Sequence, residues 1–211
     1  MQIFEDRVHA GKLLAKEVKK YIKEHHLPKK DIVIFSLLRG GFVLGKIIAE
    51  SLGLKHYPMV VAKIGAPGNP EVAWGALAID VEVLNPIIDT KLRQVLPQEE
   101  YNFLFKQEKN KALRKIYNYL TKFNLDIEKL KKAPKNKICI IVDDGVATGA
   151  SAYAAAKFLE QNGAKKIILA VPVAPANFVC RPYFDDCIIL IKDPNFMAVG
   201  QYYKDFSEVQ L

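Results

Sequence analysis

The sequence predicts an α/β protein built on a mostly parallel central sheet flanked by helices. Ile138-Cys139-Ile140-Ile141-Val142 is a continuous apolar run, rich in β-branched residues and too short for a helix, which reads as a strand buried on both faces. Ile32-Val33-Ile34-Phe35 and residues 167–171 are runs of the same kind. The first two each lead into a glycine-containing loop and then a helix-forming stretch, the alternation expected of crossover units in a parallel sheet.

Size and composition bound the class. With 211 residues, 50% of them hydrophobic and 26% charged, the chain is long enough for one substantial core with room for an appended subdomain. No apolar run reaches bilayer length, and Met-Gln-Ile-Phe-Glu-Asp-Arg lacks the basic-then-apolar plan of a signal peptide. The expectation is a cytoplasmic protein without a membrane partner. Three cysteines (Cys139, Cys180, Cys187) are an odd number without metal-ligand spacing and are read as structural. His9, His25, His26 and His56 show no catalytic or metal-binding spacing and are assigned to the surface.

In chain order, Asp6 is a plausible N-cap for a helix over residues 7–25, whose apolar stripe is Ala10, Leu13, Leu14, Val18, Tyr21 and Ile22. The first strand follows, then the loop Ser36-Leu37-Leu38-Arg39-Gly40-Gly41 and a helix over residues 42–52. Met59-Val60-Val61-Ala62 reads as a second strand ending at Lys63. Residues 64–75, with their glycines, prolines and asparagine, are expected to form a long lid-like loop carrying Lys63 and Glu71, before a returning strand over residues 75–84. Trp74, the only tryptophan, is a hinge anchor or part of the core. Residues 101–137 hold eleven basic and three acidic side chains, a net +8 that equals the charge of the whole chain. Tyr101, Phe103, Leu104, Phe105, Leu113, Ile116, Tyr117 and Leu120 recur there at helical spacing. An amphipathic helix with a solvated basic face is the expected form, and RNA binding is possible but not favoured. Beyond the second buried strand, a helix over residues 150–161 with Gly163 at its C-terminus, a strand over 167–171, a loop over 172–177 and a strand over 187–191 complete the core.

The chemistry concentrates after Val142. Asp143 and Asp144 stand at the predicted C-terminal end of a strand. The loop Gly145-Val146-Ala147-Thr148-Gly149-Ala150-Ser151 then opens a helix whose free N–H groups point back over that end. An anion nest beside two carboxylates suits a phosphorylated sugar, with phosphate in the loop and hydroxyls on the acids. Leu38-Arg39-Gly40-Gly41 is a second loop of this type, with paired glycines for close backbone approach and one guanidinium to bridge anionic oxygens.

Val142-Asp143-Asp144-Gly145-Val146-Ala147-Thr148-Gly149-Ala150-Ser151 resembles the phosphoribosyl pyrophosphate (PRPP) motif of type I phosphoribosyltransferases. Leu37-Leu38-Arg39-Gly40-Gly41 resembles their pyrophosphate loop, with Arg39 where the 6-oxopurine enzymes carry Lys. The tail from Lys192 to Phe206 resembles the base-binding segment of purine transferases, with Phe196 as the stacking ring. From Phe4-Glu5-Asp6-Arg7 to Asp205-Phe206-Ser207 the chain is similar to a group of poorly characterised phosphoribosyltransferases that share Asp-Asp-Gly-Val-Ala-Thr-Gly-Ala and Lys-Ile/Leu-Gly-Ala-Pro-Gly-Asn-Pro-Glu.

The resemblance implies a single PRPP-binding, Rossmann-like domain over residues 1–211. A basic helical insertion falls at about 86–134, and a small hood is formed by residues 1–30 and 192–211. It further implies transfer of the phosphoribosyl group of Mg²⁺-bound PRPP to a nitrogenous base, with roles divided among named positions. These are Asp143, Asp144, Arg39, Lys63 and Glu71 for catalysis, residues 145–151 for the 5′-phosphate and residues 38–41 for pyrophosphate. Phe196 and Val199 serve the base, and Asp143, Asp144 and Asp193 the metal. A homodimer is the expected assembly. In the resembling enzymes the bond before the loop's cation can be a non-prolyl cis peptide, here Leu38–Arg39. One departure bears on the acceptor: Ala147 stands where the 6-oxopurine enzymes carry an Asp, as in the adenine and orotate enzymes. The alternative is a PRPP- or nucleotide-sensing regulator that keeps the fold and binds RNA through the basic segment.

Overall fold

A computed structural model of the chain describes residues 3–210, without the side chains of Pro70 and Glu71. In chain order the elements are α1 (Arg7–Glu24), β1 (Ile32–Leu37), α2 (Gly40–Leu52), β2 (Lys55–Met59), β3 (Ala62–Ala66), β4 (Asn69–Ala78), β5 (Val81–Leu84), α3 (Pro86–Val95), α4 (Gln98–Lys122), α5 (Ile127–Lys132), β6 (Ile138–Val142), α6 (Ala150–Gln161), β7 (Lys166–Pro175) and β8 (Asp186–Asp193). A five-stranded sheet runs in the order β2-β1-β6-β7-β8, and every pairing in it is parallel.

Alternation along the strands sorts the core into two layers. Ile32, Ile34, Ile138 and Ile140 meet Leu14, Val18 and Ile22 of α1 and Leu44 and Ile48 of α2. Val33, Phe35, Cys139 and Ile141 face the other way, onto Ala155, Phe158 and Leu159 of α6 and onto Trp74 and Ile116. Chain order reverses between β1 and β6, which are paired from Ile32↔Ile138 to Ser36↔Val142. In an open α/β sheet, ligands bind in the crevice beyond the strand ends at such a reversal. The loops after β1 and after β6 both open there.

Residues 64–75 are not a long loop. They fold into the antiparallel hairpin β3–β4 of a second sheet, ordered β3-β4-β5. Pro67 and Gly68, with φ +74° at the glycine, make a two-residue connection between Ala66 and Asn69, while Gly65 stands within β3 and Pro70 and Gly75 within β4. Register shifts beside Gly65 absorb the remaining irregularity. The returning strand is likewise two strands, broken at Ile79 and Asp80. The strand expected over Met59–Ala62 is not formed as such: β2 runs from Lys55 and ends at Met59, because its pairing with β1 runs from Val33↔Lys55 to Leu37↔Met59, and Ala62 already belongs to β3 of the second sheet. β7 continues through the predicted loop as far as Pro175, since β8 pairs with it to Pro175↔Asp193.

Trp74 is wholly buried, and its Nε1 donates to Asp89 Oδ1 at 3.0 Å, the carboxylate that also accepts the Tyr101 hydroxyl. That shared acceptor ties α3 and α4 to β4. Of the three cysteines read from sequence as structural, Cys180 and Cys187 form a disulfide, a pairing the sequence reading did not name, while Cys139 is buried and free. His56 is not a free surface residue either. It lies half-buried with Nε2 2.6 Å from the Oγ of fully buried Ser36, and burial lowers its pKa to about 4.

Candidate active site

Helix α2 begins at Gly40 and α6 at Ala150, so each of the two loops at the strand ends delivers the chain into a helix N-terminus. Neither N-cap residue, Arg39 or Gly149, bonds its helix through a side chain, and beyond the long contact of Ala150 N–H to Thr148 Oγ1 at 3.5 Å this leaves first-turn N–H groups for an anion. The loops interlock. A Cβ at Gly40 would collide with the Asp144 carboxylate, and one at Gly41 would stand 2.5 Å from Val142 O and 2.8 Å from Asp143 Cα. Only glycine allows this approach. The Leu38–Arg39 peptide bond is cis, as the resemblance implies.

Asp143 Oδ1 accepts the backbone N–H of Asp144 at 2.9 Å. Burial, and then the neighbouring carboxylate, push Asp143 well above the usual carboxylate range. Asp144 is also raised by burial, but less freely, because Arg7 opposes the shift. Arg7 Nε donates to Asp144 Oδ2 at 2.7 Å, and its guanidinium lies 3.9 Å from the centre of the Phe206 ring. The Tyr203 hydroxyl donates to Asp144 O at 2.6 Å.

Within residues 145–151, Val146 is buried and bonded to Val173 O, whereas Ala147 and Thr148 are exposed. Gly149, at φ +81°, is the residue from which α6 starts, with Ala150 and Ser151 half-buried after it. Val199 packs directly on Gly145, where any Cβ would meet its methyls at 2.5 Å. Phe196 is stacked on Tyr202 with centroids 5.7 Å apart. Asp193 is turned to its own segment: its carboxylate accepts Asn195 N and the Tyr202 hydroxyl, both at 2.8 Å, and these bonds hold its pKa below the ordinary value. Lys63 is exposed on β3. The Glu71 side chain lies outside the described residues. Among the described residues no group of three or more His, Cys, Asp or Glu is arranged to hold a metal ion.

A cavity of about 260 Å³ opens beside the β1 loop, lined by Leu38, Arg39, Gly40, Val60, Lys115 and, from the N-terminal helix, Arg7. Glu208 of the C-terminal segment also lines it, with its carboxylate on the Arg39 guanidinium. Sequence reading missed Arg7, Lys115, Tyr203 and Glu208. The local pattern around each is that of an ordinary surface or core position, and only chain packing brings them to the strand ends.

Residues 5–206 match a family model described as a phosphoribosyl transferase domain. The chain belongs to this phosphoribosyl transferase family. Two proteins from Mycobacterium tuberculosis strains, each named "Putative phosphoribosyl transferase", are 34% identical over 99% of the chain, which spans 44% of their length. Among solved structures, TT1426 from Thermus thermophilus is 32% identical with a TM-score of 0.67, covering 100% of this chain and 94% of that one. The family's matched region thus runs through both loops, the acid pair and the Phe196–Val199 segment.

Proposed function

We propose that the chain transfers the phosphoribosyl group of PRPP to a nitrogenous acceptor and releases pyrophosphate. The observation that carries this reading is the interlock of Gly40 and Gly41 with Asp143 and Asp144, which puts two anion-receptive helix N-termini on either side of one acid pair. On this reading, residues 145–151 bind the 5′-phosphate, Arg39 and the amides of residues 40–41 bind pyrophosphate, and the acid pair orients the ribose hydroxyls. Phe196 and Val199 would form one side of the base site, next to the sugar because Val199 rests on Gly145. Lys63 and Glu71, on the β3–β4 hairpin, are proposed to act when that hairpin approaches the bound sugar.

Carboxylate oxygens are the hard donors Mg²⁺ prefers, and a Mg²⁺ site of one or two carboxylates completed by substrate oxygens and water is the common form. Asp143 and Asp144 fit this, since their raised pKa values mark charge that a cation would offset. The ion would supply charge neutralisation at the pyrophosphate. Asp193 would join only after giving up its bonds to Asn195 and Tyr202.

Cleavage of the bond between the sugar's anomeric carbon and pyrophosphate leaves an oxocarbenium-like sugar, so the protein's part is to hold the reactants in line and stabilise the departing charge. Arg39 and the open amides do the second, and the two carboxylates face the cationic sugar. The acceptor nitrogen attacks the same carbon, and no protein nucleophile is required. The alternative of an RNA-binding regulator is less favoured, because Lys109, Lys111, Lys129, Lys131, Lys132 and Lys137 are already in ion pairs.

The deciding experiment offers PRPP and Mg²⁺ with purines, pyrimidines and other amines one at a time, and measures pyrophosphate. Release that depends on one acceptor class supports transfer and names the acceptor. No release with any acceptor, together with no PRPP binding, would reject the reading.

A further inference from the structure

α4 is held against the second sheet by buried Tyr101, Ala112, Ile116 and Leu120. Lys115 and Tyr119, one turn apart on the same helix, reach the cavity that Arg7, Arg39 and Gly40 also line. Other cations of α4 are engaged: Lys109 pairs with Glu82 at 2.7 Å and Lys111 with Glu108 at 2.6 Å. Lys115 has no acidic partner among the described residues. The cavity wall therefore carries three cations, and its only carboxylate among the described residues is Glu208, which lies on Arg39. Arg7 is committed to Asp144. An excess of positive charge around about 260 Å³ fits a small polyanion, and Glu208 shows that a carboxylate is accepted at the Arg39 edge.

We propose that Lys115 is a pyrophosphate-binding residue, supplied to the β1 loop by the basic helical segment. This rests on the transferase reading and adds to it a source of positive charge that the strand-end loops do not contain. A diphosphate carries more charge than one guanidinium can neutralise, and an ammonium on a long flexible stem can follow it as it leaves. The basic face of α4 thus borders the cavity at Lys115, whose side chain stays exposed to solvent.

Calorimetric titration of the full chain with inorganic pyrophosphate tests this. The Lys115→Gln variant is expected to bind about tenfold more weakly or worse, the loss of one charge-assisted contact. Lys115→Arg should restore most of the affinity, and Lys106→Gln, on the same helix but away from the cavity lining, should match the wild type. Lys115 is exposed, so unchanged melting curves will show that the variants are folded. If Arg39→Gln weakens pyrophosphate binding while Lys115→Gln does not, the role of Lys115 is overturned and the transferase reading stands. If the wild type neither binds pyrophosphate nor releases it from PRPP, the underlying reading fails, and this inference with it.

Discussion

Arg7 Nε donates to Asp144 Oδ2 at 2.7 Å, joining the first residue of α1 to the end of β6 across 137 positions of sequence. The N-terminal helix therefore brings the acid pair its countercharge. Arg7→Gln leaves Asp144 buried beside Asp143 without that partner, so its pKa rises further. On the proposed reaction, the acid limb of the pH–rate profile should move to higher pH, and pyrophosphate release should fall about tenfold or more. A profile that stays in place in the variant would deny Arg7 this role.

Asp143 and Asp144 should cost the unliganded fold stability. A carboxyl whose folded pKa is raised stabilises the fold below its unfolded pKa, about 3.9, and loses that contribution as pH rises through the folded value. Asp143→Asn removes the charge and keeps an oxygen for the Asp144 N–H. Without divalent cations, the variant should melt a few degrees above the wild type at pH 8, with the difference closing near pH 4. Its turnover should fall by about a hundredfold or more, since the sugar and metal lose a ligand. A variant that melts lower at pH 8 would contradict the expectation.

His56 has the opposite sign. Its pKa in the fold is about 4, against about 6.5 when unfolded, so the unfolded chain binds the extra proton between those values. Its contribution is present above pH 6.5 and is lost as pH falls towards 4. Melting temperatures measured across this window should drop for the wild type, and drop less for His56→Gln. After allowance for partial exposure the effect is on the order of 1–2 kcal/mol.

Gly41→Ala places a methyl 2.5 Å from Val142 O, a backbone atom of the buried strand β6 that cannot yield as a flexible side chain would. The two loops must separate. Stability should fall by about 1–3 kcal/mol, and pyrophosphate affinity should fall with it. Thermal melts and pyrophosphate titration of the same variant check both, and a variant unaltered in both would mean that the loops do not depend on this contact.

The buried strands β1 and β6, the Asp6-capped helix, the helix after the acid pair and both glycine-containing loops that open a helix were legible in the sequence, because each is written in a contiguous pattern. Apolar runs, caps and paired glycines act over a few residues, and the backbone responds locally. Composition misled at residues 64–75, where Pro67 and Gly68 serve one turn and the other breakers stand inside β3 and β4, with register shifts only beside Gly65.

Tertiary structure alone decided what surrounds the acids. Arg7 and Tyr203, which bond to Asp144, and Lys115 and Glu208, which reach the cavity beside the β1 loop, come from helices and tails far apart in the chain, and none carries a local mark of its destination. Which charge faces which depends on the order in which strands enter the sheet. That order is set by burial of whole faces and by crossover topology, summed over the core, and no short stretch of sequence contains it.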